Sequence, residues 1–246
     1  MSTNTFTPAL NMAHYSLDDQ YEGCLSSMRS HLTSLIRSEL KASELYREAW
    51  ENALFNWQAN QSWLYPQNMK ELFEVAIWAY TFEIPPLYRE FNAATRTAGK
   101  GPKEYEAYPF KSLHFLLTRA SMTLHSEDLK CIEVYRGANV EFSVNNLFRF
   151  GQFTSTSENL EEAEKFETVT FFKLFTCKGI DISEMSFYQE EEEVLVPPYE
   201  IFKVTSVEDT SNGKTVKAKS VGTCSYHNCA FVGEGNTMEV ITPYIF

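Results

Sequence analysis

The chain contains no Gly-x-Gly-x-x-Gly, no Cys-x-x-Cys and no apolar run long enough to span a membrane. The first absence excludes a dinucleotide held in a Rossmann crevice. The second removes the usual thiolate spacing of a zinc site. Cys224 and Cys229, with His227 between them, come nearest, and nothing upstream completes a ligand set, so no metal is expected. The third argues against a membrane-spanning helix. No leader-like segment opens the chain, and the tail 233–246 lacks the hydrophobic stretch of a glycolipid-anchor signal, so a processed or trimmed chain is expected. Positive charge is also scarce. Lys and Arg number 21 against 33 Asp and Glu, a net charge of −12 over 246 residues. That balance argues against nucleic acid or an anionic membrane as partner and suits a basic protein. The five histidines (His14, His31, His114, His125, His227) form no constellation.

What is present is enough for a packed core, with 43% hydrophobic and 15% aromatic residues. After an extended arm over residues 1–20, helical spacing of apolar residues predicts helices near Tyr21–Leu40, Ser43–Gln58, Pro66–Phe82, Pro86–Ala98 and Pro109–Leu124. Gly99-Lys100-Gly101-Pro102 breaks the pattern. Beyond Lys130 the texture turns to short β-branched and aromatic runs. These predict strands at Cys131–Tyr135, Phe148–Thr156, Thr168–Cys177, Glu193–Val196, Tyr199–Val207, Thr215–Ser220 and Asn228–Val232, with a hairpin at Asn212-Gly213. Helices first and strands after mean an α+β fold. The expected organisation is one domain, 1–246, with a mostly helical lobe over 1–126 and a β-rich, sandwich-like core over 127–246.

Three motifs carry chemistry. Glu190 to Glu193 run straight into Val194-Leu195-Val196-Pro197-Pro198. Adjacent carboxylates repel, so a run of four at a strand start is either a solvated gatekeeper or held there for a reaction. In an extended segment Glu191 and Glu193 would share one face and Glu190 and Glu192 the other. Two such carboxylates suit a reaction in which positive charge develops on a sugar carbon. Arg136-Gly137, at a strand end, offers a planar cation beside a bare backbone amide, suited to a phosphate and a flat carboxamide; a structural salt bridge is the alternative. Thr154-Ser155-Thr156-Ser157 supplies hydroxyls that can orient a carboxylate.

In the order Arg…Ser-Thr-Ser…Glu-x-Glu, this set resembles the vertebrate-type mono-ADP-ribosyltransferases, arginine-specific ecto-enzymes with an Arg-Ser-Glu motif. The likeness spans nearly the whole chain, from Met12–Cys24 through Ala79-Tyr80-Thr81, Phe91-Asn92…Arg96, Tyr108–His114, Leu117–Ala120, Val134–Gly137, Arg149–Ser157 and Glu191–Glu200 to Asn228-Cys229. It implies an NAD cleft between the helical lobe and the β-rich core, with NAD as co-substrate and no prosthetic group. ADP-ribose would pass to arginine on a protein acceptor, with nicotinamide released. NAD glycohydrolysis, or a non-catalytic surface antigen on the same scaffold, is the alternative. The resemblance makes Arg136, Ser155 and Glu193 catalytic and Glu191 the acceptor-arginine residue. It assigns Tyr80, Asn92, Arg96, Arg136, Gly137, Gln152 and Ser155 to NAD. A neighbour of Ser155 is an alternative within the hydroxyl run. Phe187 and Tyr188 could stack on the incoming arginine and Phe166 could cap the nicotinamide; packing is the other reading of each. The resemblance also implies an extracellular, disulfide-bonded monomer with pairs Cys24–Cys229 and Cys131–Cys177. Cys224 is then a free thiol or a competitor of Cys229. Asn60-Gln61-Ser62 is a glycosylation sequon or a chance match.

Overall fold

The computed structural model describes residues 7–61, 65–125, 131–165, 169–210, 213–233 and 242–243. Six helices come first: α1 (Leu25–Ala42), α2 (Glu44–Asn60), α3 (Met69–Thr81), α4 (Leu87–Ala98), α5 (Pro102–Ala107) and α6 (Lys111–Leu124). Their starts follow capping chemistry. The Ser43 hydroxyl accepts the Tyr46 amide at 3.1 Å and Asn68 accepts that of Glu71 at 3.1 Å. Glu39 of α1 caps α6 from a distance, accepting the amides of Lys111 and Ser112 at 2.7 and 3.0 Å.

Three helix boundaries depart from the sequence expectation. Tyr21 and Gly23 take positive φ, so α1 starts at Leu25 rather than Tyr21. Asn68, not Pro66, opens α3. α5 was not anticipated: Gly99–Pro102 ends α4, but Pro102 then serves as the first residue of a short helix, where its missing N–H costs nothing.

The strands are β1 (Ala9–Leu10), β2 (Ile132–Ala138), β3 (Ser143–Val144), β4 (Leu147–Phe148), β5 (Thr154–Ser157), β6 (Thr170–Thr176), β7 (Ile180–Asp181), β8 (Glu193–Val196), β9 (Glu200–Thr210), β10 (Gly213–Thr223) and β11 (Thr242–Pro243), with helix α7 (Leu160–Glu164) after β5. β1 pairs with β3. Among the described residues the rest form one sheet in the order β4-β9-β10-β6-β2-β5-β8-β7, with β11 on β10. β9 and β10 make the expected hairpin; Asn212 of its turn lies outside the described residues. The strand expected over Phe148–Thr156 is instead two, β4 and β5. Gly151 between them has φ +65° and lies against Ala13 and Ser16. The strand expected at Asn228–Val232 is a 3-10 turn, because Cys229 is left-handed and Asp19 accepts the Cys229 and Ala230 amides, each at 2.9 Å.

The sheet is joined in its middle by a single residue pair, Tyr135 with Ser157. On either side of that joint the two arms fold toward each other. Val194 and Val196 of β8 meet Val134, Phe172, Leu174, Phe202 and Val216 of the other arm, giving the sandwich-like core. Strand alternation turns Leu195 the opposite way, into the helical core with Phe153, Ile180 and Ile182. Glu193 shares the face of Leu195 and so looks toward the helices.

Two disulfides, Cys24–Cys229 and Cys131–Cys177, tie distant segments. Cys224 is buried outside both. Its carbonyl accepts from Arg149, a fully buried guanidinium that also binds Asp18 and the Met12 carbonyl. Asp18 in turn accepts the Tyr226 and His227 amides and a ring N–H of His227. Two of the unassigned histidines are thus structural: His227 here, and buried His114, which bonds Tyr21 and the Leu17 carbonyl. Among the described residues no helix is long and apolar enough to cross a membrane, and no group of three His, Cys, Asp or Glu side chains is placed to hold a metal.

Candidate active site

The joint between the arms creates the site. Continuing the Tyr135–Ser157 register would set Gly137 against Ser155, but the strands part before that pair can form. Arg136 fills the gap: its Nη1 donates to the Ser155 carbonyl at 2.6 Å. A cavity of about 260 Å³ opens here between β2, β5 and β8 on one side and α3 and α4 on the other. Arg136, Gly137, Ser155, Glu191, Glu193, Tyr80 and Asn92 all line it.

Glu193 is 5% exposed. Ser186 Oγ donates to its Oε2 at 2.8 Å, the Ser155 hydroxyl bonds it from β5, and the Arg136 guanidinium is near. Burial raises its pKa and outweighs these three stabilising partners. Burial also draws the Arg136 pKa below its ordinary value, with Tyr80 and Glu193 opposing.

Glu191 reaches the same cavity by a route strand alternation did not anticipate. Gln189–Glu191 is a 3-10 turn, and Glu192 is left-handed with φ +46°. The expected extended register over Glu190–Glu193 is therefore broken, and the turn delivers Glu191 beside Glu193. The β5–α7 corner holds that turn. Ser157 Oγ donates to the Glu191 carbonyl at 2.6 Å and the Glu158 amide to the Glu192 carbonyl at 3.1 Å. Glu191 is half-buried, and its pKa is pushed up to about 7, first by desolvation and then by Glu193, Glu83, Glu190 and Glu162. Glu83 and Glu162 also line the cavity, a contribution sequence spacing could not reveal.

On the helical wall the buried Tyr80 hydroxyl donates to the Phe153 carbonyl at 2.9 Å, and Asn92 Nδ2 donates to that hydroxyl at 3.2 Å. Asn92 Oδ1 is buried without a partner among the described residues. Arg96 and Gln152 do not line this cavity. They bond each other on the wall of a second cavity of about 670 Å³, under the N-terminal arm. Arg136 borders both spaces. Tyr188 stands at the mouth of the first. Phe187 is turned away, packed on Trp78 and Phe82 at ring distances of 5.5 and 4.5 Å. Phe166 lies outside the described residues.

The NAD:arginine ADP-ribosyltransferase family model matches residues 10–225. The chain belongs to this family. Its activity class is the family's, transfer of ADP-ribose from NAD to arginine. The chain is 41% identical over 236 residues to the erythroblast NAD(P)(+)–arginine ADP-ribosyltransferase of Gallus gallus, covering 94% of this chain and 78% of that one. It is 38% identical over 240 residues to the GPI-linked NAD(P)(+)–arginine ADP-ribosyltransferase 1 of Mus musculus, covering 92% and 74%. Its fold matches a mutant of the eukaryotic mono-ADP-ribosyltransferase ART2.2 solved with NADH. The TM-score is 0.77 at 31% identity, with 90% of this chain and 98% of that chain covered. That match agrees with the α+β arrangement of helical region and sheet.

Proposed function

We propose that Glu193 is the carboxylate that drives cleavage of NAD and that Glu191 prepares the acceptor arginine. NAD lies across Arg136, with its nicotinamide–ribose end in the smaller cavity and the remainder toward Arg96 and Gln152. Arg136 holds the pyrophosphate. The Gly137 backbone, unpaired on the side where β2 and β5 part, meets the carboxamide. Tyr80 and Asn92 face the ribose, and the unpartnered Asn92 Oδ1 is an acceptor ready for a ligand donor. As the bond from ribose C1′ to the ring nitrogen breaks, its electron pair stays with the ring and neutral nicotinamide leaves. The ribose becomes oxocarbenium-like, and Glu193, fixed by Ser155, stabilises that charge where it develops. A guanidinium nitrogen of the acceptor gives a proton to Glu191 and forms the new bond to C1′. Water in place of the guanidine gives free ADP-ribose, a side reaction of the same site.

The observation that carries this reading is the pairing of unlike carboxylates in one cavity, one buried and clamped, the other half-exposed and titrating near neutrality. On this reading the enzyme is a monomer. The disulfides belong to an oxidising compartment. With relatives named GPI-linked and ecto-enzymes, they indicate a cell-surface or extracellular location; attachment by a lipid is part of the proposal. The acceptor is a protein presenting an exposed arginine.

The test is incubation with labelled NAD, with and without an arginine-rich acceptor. Glu193→Gln is expected to lower both transfer and hydrolysis by about 100-fold or more with NAD still bound. Glu191→Gln is expected to lower transfer far more than hydrolysis. An unchanged ratio of labelled acceptor to free ADP-ribose in Glu191→Gln would refute the acceptor-side role.

A further inference from the structure

We propose that Ser186 is a positioning residue for Glu193, a buried hydroxyl that couples the acceptor-side turn to the carboxylate. The inference rests on the reading of Glu193 given above. Ser186 precedes the acidic run, and nothing in its sequence context distinguishes it. In the fold it is fully buried, and its Oγ donates to Glu193 Oε2 at 2.8 Å. The same oxygen accepts the Tyr188 amide at 3.3 Å. A hydroxyl has one proton, and a carboxylate and an amide N–H can only accept and donate respectively. The amide therefore commits the Ser186 proton to Glu193.

The residues around Ser186 are anchored. The Phe187 amide donates to Thr81 Oγ1 at 3.2 Å, at the end of α3, and the Phe187 ring packs on Trp78 and Phe82. Ser186 thus projects from a segment pinned to the helical lobe, whereas Ser155 projects from the sheet. The two serines bond one carboxylate from separate segments, Ser155 from β5 and Ser186 from the loop before the acidic run. Without Ser186, Glu193 keeps Ser155 and Arg136 but loses a donor to its charged form. A buried carboxylate deprived of a donor binds its proton more tightly, and its side chain gains freedom to rotate away from the sugar.

The experiment is the pH profile of acceptor-free NAD hydrolysis, measured in a Glu191→Gln background so that Glu191 does not titrate. Ser186→Ala is expected to move the acidic limb of kcat/KM to higher pH. At neutral pH kcat should fall on the order of 10-fold, with KM for NAD within about twofold. Ser186→Cys, close in size and a weak donor, is expected to shift the limb the same way and serves if the alanine variant does not fold. Melting temperature and NAD binding by calorimetry confirm that each variant is folded. An acidic limb that does not move overturns the proposal. So does a loss confined to arginine transfer in the presence of Glu191, because Ser186 would then serve the turn alone. An active Glu193→Gln enzyme would instead remove the underlying reading, and the Ser186 role with it.

Discussion

At the scale of single residues, the site separates two carboxylates by environment. Glu191 is half-buried among other acids, so its charge is opposed first by desolvation and then by its neighbours. With a pKa near 7 it is largely protonated below neutrality and cannot then receive the acceptor's proton. If Glu191 takes the acceptor's proton, transfer to arginine should fall about tenfold per pH unit below 7 on its account, a dependence that acceptor-free hydrolysis, which does not use Glu191, should lack. Rate profiles of the two products over pH 5–9 check this. The same shift bears on stability. The folded value lies above the ordinary 4.5, so the folded chain binds more protons than the unfolded chain between the two values. Stability attributable to Glu191 thus declines as pH rises through that window. Arg136, Ser155 and Glu193 could be picked out in the sequence because together they resemble the family's Arg-Ser-Glu motif, and the fold brings all three to one cavity. Glu83 and Glu162, which reach the cavity, and Ser186, which reaches Glu193, could not be, because each comes from a loop or helix whose position depends on packing elsewhere.

At the scale of elements, the order of helices and strands was legible, as were the helix starting at Ser43 and the β9–β10 hairpin. Their signals are local: a capping side chain, an alternating run, a turn dipeptide. The failures occur where a distant partner overrides local preference. The run Phe148–Thr156 alternates like one strand, yet it breaks at Gly151 because the N-terminal arm crosses there. A Cβ at Gly151 would come within 2.5 Å of that of Ala13, and φ is +65°. Gly151→Ala is expected to destabilise the protein by about 1–3 kcal/mol in chemical denaturation, from strain and clash together. Variants at Gly23, whose φ is also positive but which has open space around it, should lose less. The acidic run is the other instance. Extended alternation would have brought Glu191 and Glu193 to one face, and the fold reaches a similar end through a 3-10 turn and a left-handed Glu192. Convergence on the cavity was legible there; the backbone path was not.

At the scale of the whole molecule, cross-links and buried ionic contacts close the fold. The two disulfides span 205 and 46 positions. Replacing either pair with serine is expected to cost roughly 2–5 kcal/mol. Loop-length scaling makes the Cys24–Cys229 loss the larger by about 1 kcal/mol. Melting temperatures of the two double variants, compared with the reduced wild type, check the ranking. Beside the longer bridge, Asp18 is bound by Arg149, Tyr226 and His227, and Asp19 by Tyr21, Cys229 and Ala230. Apart from the local Asp19–Tyr21 bond, these contacts join segments more than a hundred positions apart, so no spacing rule could have paired them. They also impose an order on synthesis. The helical lobe leaves the ribosome first, yet Asp18 and Asp19 gain their full sets of partners, and Cys24 its disulfide, only when residues 224–230 follow. Two carboxylates fully buried in the folded protein lack part of their hydrogen-bond partners until then. Burial of Asp18 and Asp19 is thereby tied to the synthesis of residues 224–230.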